Sequence, residues 1–196
     1  MKKETTTLYT GRGDKGTTRV LDSKPGERIS KNSERAEALG SLDELNAFLG
    51  LVRVHAKQGQ NARVKTGRKT QHVADILRQA QKDLFIVQAE VAGGKKKIRR
   101  AKVAWQEGII EAIAGEIRPI TSFTVAGGAE LSAELDVART IARTVERRVV
   151  AVHESGERKL GEHSRAYLNR LSSLLFALAR LVNHRSGFSE EAPDYK

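Results

Sequence analysis

Positions 134 to 150 contain neither glycine nor proline, and a run of that length and pattern folds as a helix. At about 100° per residue, Leu131, Leu135, Ala138, Ile141, Ala142, Val145 and Val149 fall on one broad apolar arc. An arc that wide belongs to a core helix, which has to be covered by others. Arg139, Arg143, Glu146 and Arg147 fall together on a separate sector roughly 100° wide. Three guanidiniums on one face repel one another unless an anion sits among them, and one glutamate does not neutralise them. A solvated face laced by i,i+4 pairs is the ordinary reading of such a pattern. Here, however, every basic position on the sector is arginine although lysine is plentiful elsewhere, and arginine forks onto phosphate oxygens. The face is expected to clamp a polyphosphate.

The same periodicity recurs in four other segments. Residues 33–55 carry Leu39, Leu42, Leu45, Leu49 and Val52 on one stripe, with Ser33 as N-cap. Residues 71–92 carry Val73, Ile76, Leu77, Ala80, Leu84, Val87 and Val91, and Gly93-Gly94 stops them. A shorter segment, 103–117, has Trp105, Ile109, Ile113 and Ile117, and 164–185 has Tyr167, Leu168, Leu171, Leu174, Leu175, Leu178 and Val182. No stretch reads as a convincing strand and none repeats, and with 5% aromatic residues and 3 prolines a β-sandwich is disfavoured. The pattern predicts an all-α fold, a five-helix bundle. One domain spans 1–196: a Gly/Thr-rich arm (1–30), the bundle (31–188) and a tail (189–196). Residues 57–70, rich in Gly, Lys and Gln, read as a mobile loop, 153–162 as a turn, and the acidic tail as frayed. The basic run at 95–100 reads as a solvated linker, because no aromatic residue is interleaved for base stacking.

Without cysteine there is no disulfide, thiolate metal site or cysteine nucleophile. The 5 histidines form no Glu-x-x-His or His-x-His pair, which disfavours a di-iron or zinc centre. A net charge of +11 implies anionic partners. Met1-Lys2-Lys3 is followed by Glu4-Thr5-Thr6-Thr7 where a leader would turn apolar, and no segment approaches membrane-spanning length. A cytoplasmic protein is expected.

The arm centres on Tyr9-Thr10-Gly11-Arg12-Gly13-Asp14-Lys15-Gly16-Thr17-Thr18. The letters satisfy G-x-G-x-x-G, but no apolar strand precedes them and no long helix follows, and a Walker loop would need lysine where Thr17 stands. What remains is anion chemistry: glycines admit close approach of backbone amides, Thr17 and Thr18 offer hydroxyls, and Arg12 and Lys15 offer charge. Alone, the segment reads better as a flexible N-terminal arm. Three other features stand out. Asp43 lies beside the first helical stripe. Phe123, in the connector 119–128, reads either as a core plug or as a ligand wall. On the polar side of the last segment, Phe176 shares a face with Asn169, Arg180 and Asn183, which points to cover by another subunit or a ligand.

In this order the motifs resemble one family, the PduO-type ATP:cob(I)alamin adenosyltransferases. The residues that carry the resemblance are Tyr9-Thr10-x-x-Gly13-Asp14-Lys15-Gly16, the stretch from Glu37 to Asn46, Phe123 with Gly127-Gly128, Ala138-Arg139-Thr140 through Glu146-Arg147, and Tyr167-Leu168-Asn169-Arg170-Leu171-Ser172. The chain departs from the family pattern at Gly11, Ala126, Thr144 and Ser173. The resemblance implies a homotrimer with sites between subunits. It implies ATP, Mg²⁺ carried by ATP, and cobalamin as substrate, with no nucleic acid and no membrane as partners. It implies that Thr10, Arg12, Gly13, Lys15, Thr17, Thr18 and Lys31 line a phosphate loop, and that Arg143, Glu146, Arg147 and Asn169 complete the nucleotide site. Asp43 and Arg139 resemble a family salt bridge across subunits, and Phe123 and Phe176 would face the corrin. The chemistry agrees. Cob(I)alamin is itself a strong nucleophile, so a chain without a catalytic Ser, Cys or His suffices if it aligns the ribose 5′ carbon and neutralises a departing triphosphate. The rival readings are a basic helical nucleic-acid-binding protein and a non-catalytic scaffold; neither accounts for the glycine-rich arm and the one-face arginine cluster together.

Overall fold

The computed structural model describes residues 8–58, 62–67, 69–119 and 121–195. The readings placed on 1–7, 59–61, Arg68, Ile120 and Lys196 lie outside them. Five helices form: α1 (Glu34–Ala56), α2 (Val73–Val91), α3 (Arg100–Ala114), α4 (Glu130–Glu154) and α5 (Glu162–Arg185). α4 packs between α1 and α5, α2 lies on α1, and α3 on α5. The apolar arc of α4 is buried at Leu135, Ala138, Ala142, Val145 and Val149, against Leu42, Leu45 and Leu49 of α1 and Leu168, Leu171 and Leu175 of α5 in one continuous core. Each such Leu contributes about 1.5–3 kcal/mol relative to exposure. Among the described residues no helix is long and apolar enough to cross a membrane.

Two small antiparallel hairpins correct the expectation of no strand: β1 (Thr17–Thr18) with β2 (Ile29–Ser30), and β3 (Arg63–Thr66) with β4 (Lys69–His72). The segment read as a mobile loop is therefore largely this second hairpin. Its turn glycine, Gly67, takes φ 56°, and Val64 is its inward-facing apolar residue, buried against the core. A single apolar residue between Arg63 and Lys65 gives no alternation to read. His72 then caps α2, its Nδ1 accepting from the Ala74 amide at 3.2 Å.

Helix ends moved for similar reasons. α1 begins as expected, with Ser33 Oγ accepting from the Ala36 amide at 3.2 Å. α3 starts at Arg100 rather than 103, because Arg and Lys are good helix formers ahead of the first apolar residue. The linker before it is solvated at Lys95, Lys96, Lys97 and Arg99, as expected, and is tied down at Ile98, which is buried and whose amide donates to Ser164 Oγ at 3.3 Å. α5 starts at Glu162 because its cap comes from another helix. The fully buried Glu90 accepts from the Gly161 amide at 2.8 Å and from the Ser164 hydroxyl, placing a carboxylate on the positive end of α5.

α4 also borrows its cap. Its N-cap, Ala129, has no side chain for the task. Asn183 of α5 does it instead: Oδ1 accepts from the Ala129 amide at 3.0 Å and Nδ2 donates to the Gly127 carbonyl at 2.8 Å. Gly128 takes φ 99°, and a Cβ there would overlap the Asn183 carboxamide. One part of the polar face of α5 is thus covered by the chain's own connector. Asn183→Ala is expected to lower stability by about 1–3 kcal/mol, the cost of a lost cap and unpaired buried groups. A thermal melt within a degree of wild type would contradict it.

The arm is anchored at the end of α2. The Leu21 amide donates to the Ala92 carbonyl at 2.7 Å, and Asp22 pairs with Arg35 at 2.6 Å and Arg158 at 3.7 Å. The tail, expected to fray, is docked. The Val125 amide donates to the Glu191 carbonyl at 2.8 Å, and Glu190 pairs with Arg180.

Candidate active site

The arginine sector of α4 faces outward as its helical angle requires. Arg143 and Arg147 are exposed, while Arg139 and Glu146 are half-buried. Their neighbour Arg148 points the other way and pairs with Glu37 of α1 at 2.7 Å. Arg139 is held by Asp136 at 2.9 Å and sits 5.9 Å from the centroid of the Phe176 ring. Arg147 donates to Thr144 Oγ1 at 3.0 Å. Glu146 accepts from Asn169 Nδ2 at 2.9 Å, joining α4 to α5 across the sector. Arg143 has no ion-pair partner among the described residues.

Two cavities meet at this sector. The larger, about 810 Å³, is walled by Phe123 and its connector neighbours, by Phe176, Ser172 and Ser173 of α5, by Arg139 and Arg143, and by Ala192, Pro193 and Tyr195 of the tail. The smaller, about 360 Å³, is walled by Arg143, Glu146, Arg147, Asn169 and the last turns of α4. Arg143 lines both. One space is framed by aromatic faces and suits a large flat apolar body. The other has two guanidiniums, a carboxylate and a carboxamide, and suits a phosphate chain with its counter-ion. Phe123 is 82% exposed within the chain, so it does not plug the core; its ring stands at the cavity wall.

The arm residues gather elsewhere. The Gly16 carbonyl accepts from the Lys31 amide at 2.9 Å, and the Lys31 ammonium lies over Gly13. Thr10 Oγ1 accepts from the Arg12 amide at 3.4 Å. Arg28, not anticipated from the sequence, holds Thr17 through Nε to Oγ1 and Nη2 to the carbonyl, both at 2.7 Å. The Thr17 hydroxyl is thereby occupied within the arm. Arg12 and Lys15 are exposed, and Thr18 is half-buried. None of these residues lines either cavity, and neither does the exposed Asp43. Within the chain, the expected site residues therefore divide between those that line the two cavities and those that do not.

Among the described residues one group can offer three metal ligands, His55, Glu130 and Glu134. It lies at the start of α4, about 14 Å along the axis from Arg143 at 1.5 Å per residue, and its His55–Glu134 contact ties α1 to α4. It does not serve the arginine sector. Sequence reasoning marked Arg180 as covered by another subunit or a ligand and read the tail as frayed; the tail's own Glu190 is what covers it. The tail is short, acidic and aperiodic, and only the position of its partner arginine reveals its place.

The family model for cobalamin adenosyltransferase matches residues 8–182. A corrinoid adenosyltransferase of Bacillus subtilis is 37% identical over 183 residues, which are 93% of this chain and 90% of that protein. The corrinoid adenosyltransferase PduO of Citrobacter freundii is 36% identical over 184 residues, 90% of this chain, which spans 50% of that longer protein. Among solved structures, a variant PduO-type ATP:corrinoid adenosyltransferase from Lactobacillus reuteri complexed with cobalamin and ATP is similar at a TM-score of 0.80. It is 27% identical, with 95% of this chain and 99% of that chain covered.

Proposed function

The chain belongs to the cobalamin adenosyltransferase family, and we infer that it transfers the 5′-deoxyadenosyl group of ATP to the cobalt of cob(I)alamin, releasing triphosphate. It is an alkyl-group transferase. The observation that carries the reading is Arg143, whose side chain lines both the aromatic cavity and the polar one. A transfer from a nucleotide to a corrin needs such a junction, because the bond that breaks lies between the two substrates' sites.

In the reaction the cobalt electron pair attacks the ribose 5′ carbon. A Co–C bond forms, the C5′–O bond breaks, and its electrons leave with the triphosphate. We assign charge neutralisation on the departing oxygens to Arg143 and Arg147, oriented by the helix they share. Asn169 holds Glu146 in place at 2.9 Å, so this carboxylate is fixed rather than swinging through the phosphate space. Mg²⁺ would arrive with ATP. A hard cation takes oxygen ligands, and Glu146 would offer one beside the two arginines. When bound, it would draw charge from the phosphates. Phe123 and Phe176 offer apolar faces to the corrin, and Arg139, stacked on Phe176, edges that surface with positive charge.

We propose that the whole chain acts as one catalytic domain and assembles as a homotrimer whose sites lie between subunits. Two observations support this. The arm with Thr10, Gly13, Lys15 and Lys31, and the carboxylate of Asp43, line neither cavity at the arginine sector of their own chain, which suits a site completed by a neighbour. Leu51 and Val54 of α1 and Val137 of α4 are about half exposed, an apolar face on the two helices that carry Asp43 and Arg139. Sedimentation at working concentration is expected to give three times the chain mass, and a monomer would contradict it. A cytoplasmic setting suits the chemistry, since cob(I)alamin survives only under reducing conditions. Incubation with ATP, Mg²⁺ and chemically reduced cobalamin is expected to turn the cob(I)alamin absorbance into that of an alkylcobalamin. A spectrum unchanged beyond slow reoxidation would contradict the assigned activity.

A further inference from the structure

The last turn of α1 and the first turns of α4 meet at a cluster that the transfer reaction does not use. His55, Glu130 and Glu134 each bring one ligand atom to it, and the three atoms lie within 4.8 Å of one another. Glu130 and Glu134 are one turn apart and share a side of α4. His55 stands 79 residues before Glu134, and its Nδ1 touches Glu134 Oε1. Ligands so far apart along the chain leave no local spacing to read. Two glutamates at the start of a helix are ordinary, since the positive end favours them, and an ion pair to His55 could be their whole role. Three observations go further. Glu134 Oε2 is shut off from water and has no hydrogen-bond partner among the described residues. A carboxylate oxygen left so is costly, and a bound cation removes the cost. Among the described residues neither glutamate pairs with a lysine or arginine, although the chain has 35 of them. His55 lies in the last turn of α1, where free carbonyls favour positive charge.

We propose that His55, Glu130 and Glu134 bind a divalent transition metal of the zinc class, which clips the end of α1 to the start of α4. The donor set selects the metal. One imidazole nitrogen and two carboxylate oxygens suit Zn²⁺, Co²⁺ or Ni²⁺, whereas Mg²⁺ and Ca²⁺ take oxygen alone. Tetrahedral ligands about 2.0–2.2 Å from zinc stand roughly 3.4 Å apart, so closing on the ion takes a shift on the order of 1 Å. Glu130 is exposed and free to make it. Three protein ligands leave the fourth position to water. The clip has a structural use: α4 has no side-chain cap of its own at Ala129, and Asn183 holds that end only from the α5 side. The site is distinct from Glu146, about 18 Å further along α4 at 1.5 Å per residue, where the cation carried by ATP would sit.

The test needs neither nucleotide nor corrin, so its result stands apart from the transfer activity. The full chain, dialysed against EDTA and then freed of it, is titrated with zinc chloride by calorimetry, with and without excess magnesium chloride. A thermal melt is run at each zinc concentration. One zinc ion per chain is expected, undisturbed by magnesium, with a melting temperature that climbs as zinc is added. Glu130→Gln and His55→Ala should each weaken zinc binding by at least about tenfold, since even an outer-shell partner of a metal is worth that much. Glu130 is exposed and makes no ion pair among the described residues, so the zinc-free melt of Glu130→Gln should match wild type, and its loss of binding cannot be laid to misfolding. Failure of the wild-type chain to bind zinc would overturn the proposal. Binding that survives undiminished in either variant would overturn it too, by placing the metal elsewhere. Equal competition by magnesium would overturn the zinc-class assignment.

Discussion

Replacing Arg143 with lysine is expected to lower kcat/KM by roughly thirtyfold to a thousandfold. That corresponds to about 2–4 kcal/mol, near the cost of removing one donor from a site where transition-state charge develops. Lysine keeps the charge and loses the planar fork, so the loss isolates geometry from net electrostatics. The position is favourable for the test. Arg143 is exposed, has no ion-pair partner among the described residues, and sits on the face of α4 opposite its buried arc. Its replacement should leave stability within about 0.5 kcal/mol, as for other surface changes. Steady-state kinetics with ATP and cob(I)alamin, run beside a thermal melt, read both quantities. Near-wild-type kinetics would remove Arg143 from the polyphosphate. A melting shift without a kinetic one would return the sector to an ordinary charged surface.

Truncating Phe123 to alanine should act on one oxidation state of cobalt more than the other. Cobalamin carries a lower axial ligand that stabilises Co(II) and makes its reduction to Co(I) difficult. An apolar ring against that face excludes the ligand and offers no polar atom in exchange. Covering a phenylalanine is worth about 1.5–3 kcal/mol, so the assay started from Co(II) should lose roughly tenfold to a hundredfold. The assay started from Co(I), which needs no such exclusion, should lose far less, and ATP affinity should hold. The spectral signature of four-coordinate Co(II), formed on adding cob(II)alamin and ATP, should weaken in step. Phe123 is 82% exposed, so a core-plug role, with its loss of about 3–5 kcal/mol on truncation, is already disfavoured within the chain. Equal losses in the two assays with a large drop in melting temperature would restore it.

What the sequence made legible follows from where the physics is local. The stripes of α1, α2, α4 and α5 were readable because burial imposes a 3.6-residue period. The arginine sector was readable because it shares a helix, so spacing alone puts Arg139, Arg143 and Arg147 on one side. The second hairpin was not, because only Val64 turns inward there. Helix starts were misjudged wherever the cap is long-range: no pattern around Gly161 or Ala129 announces that Glu90 and Asn183 will satisfy their amides. The polar face of α5 was noticed and partly misassigned. Arg180 and Asn183 are covered by the chain's own tail and connector, while Phe176 opens into the cavity. The arm's motif was legible as anion chemistry, yet its absence from the two cavities of the arginine sector belongs to three dimensions.

The central claim is that cobalt takes the 5′ carbon and the three phosphates leave together. The direct measurement is the phosphate product, separated by chromatography after turnover with ATP, Mg²⁺ and cob(I)alamin and compared with the adenosylcobalamin formed. Triphosphate should appear in a one-to-one ratio with adenosylcobalamin, and should vanish when cob(I)alamin is withheld. ADP or AMP as the stoichiometric product would contradict the mechanism.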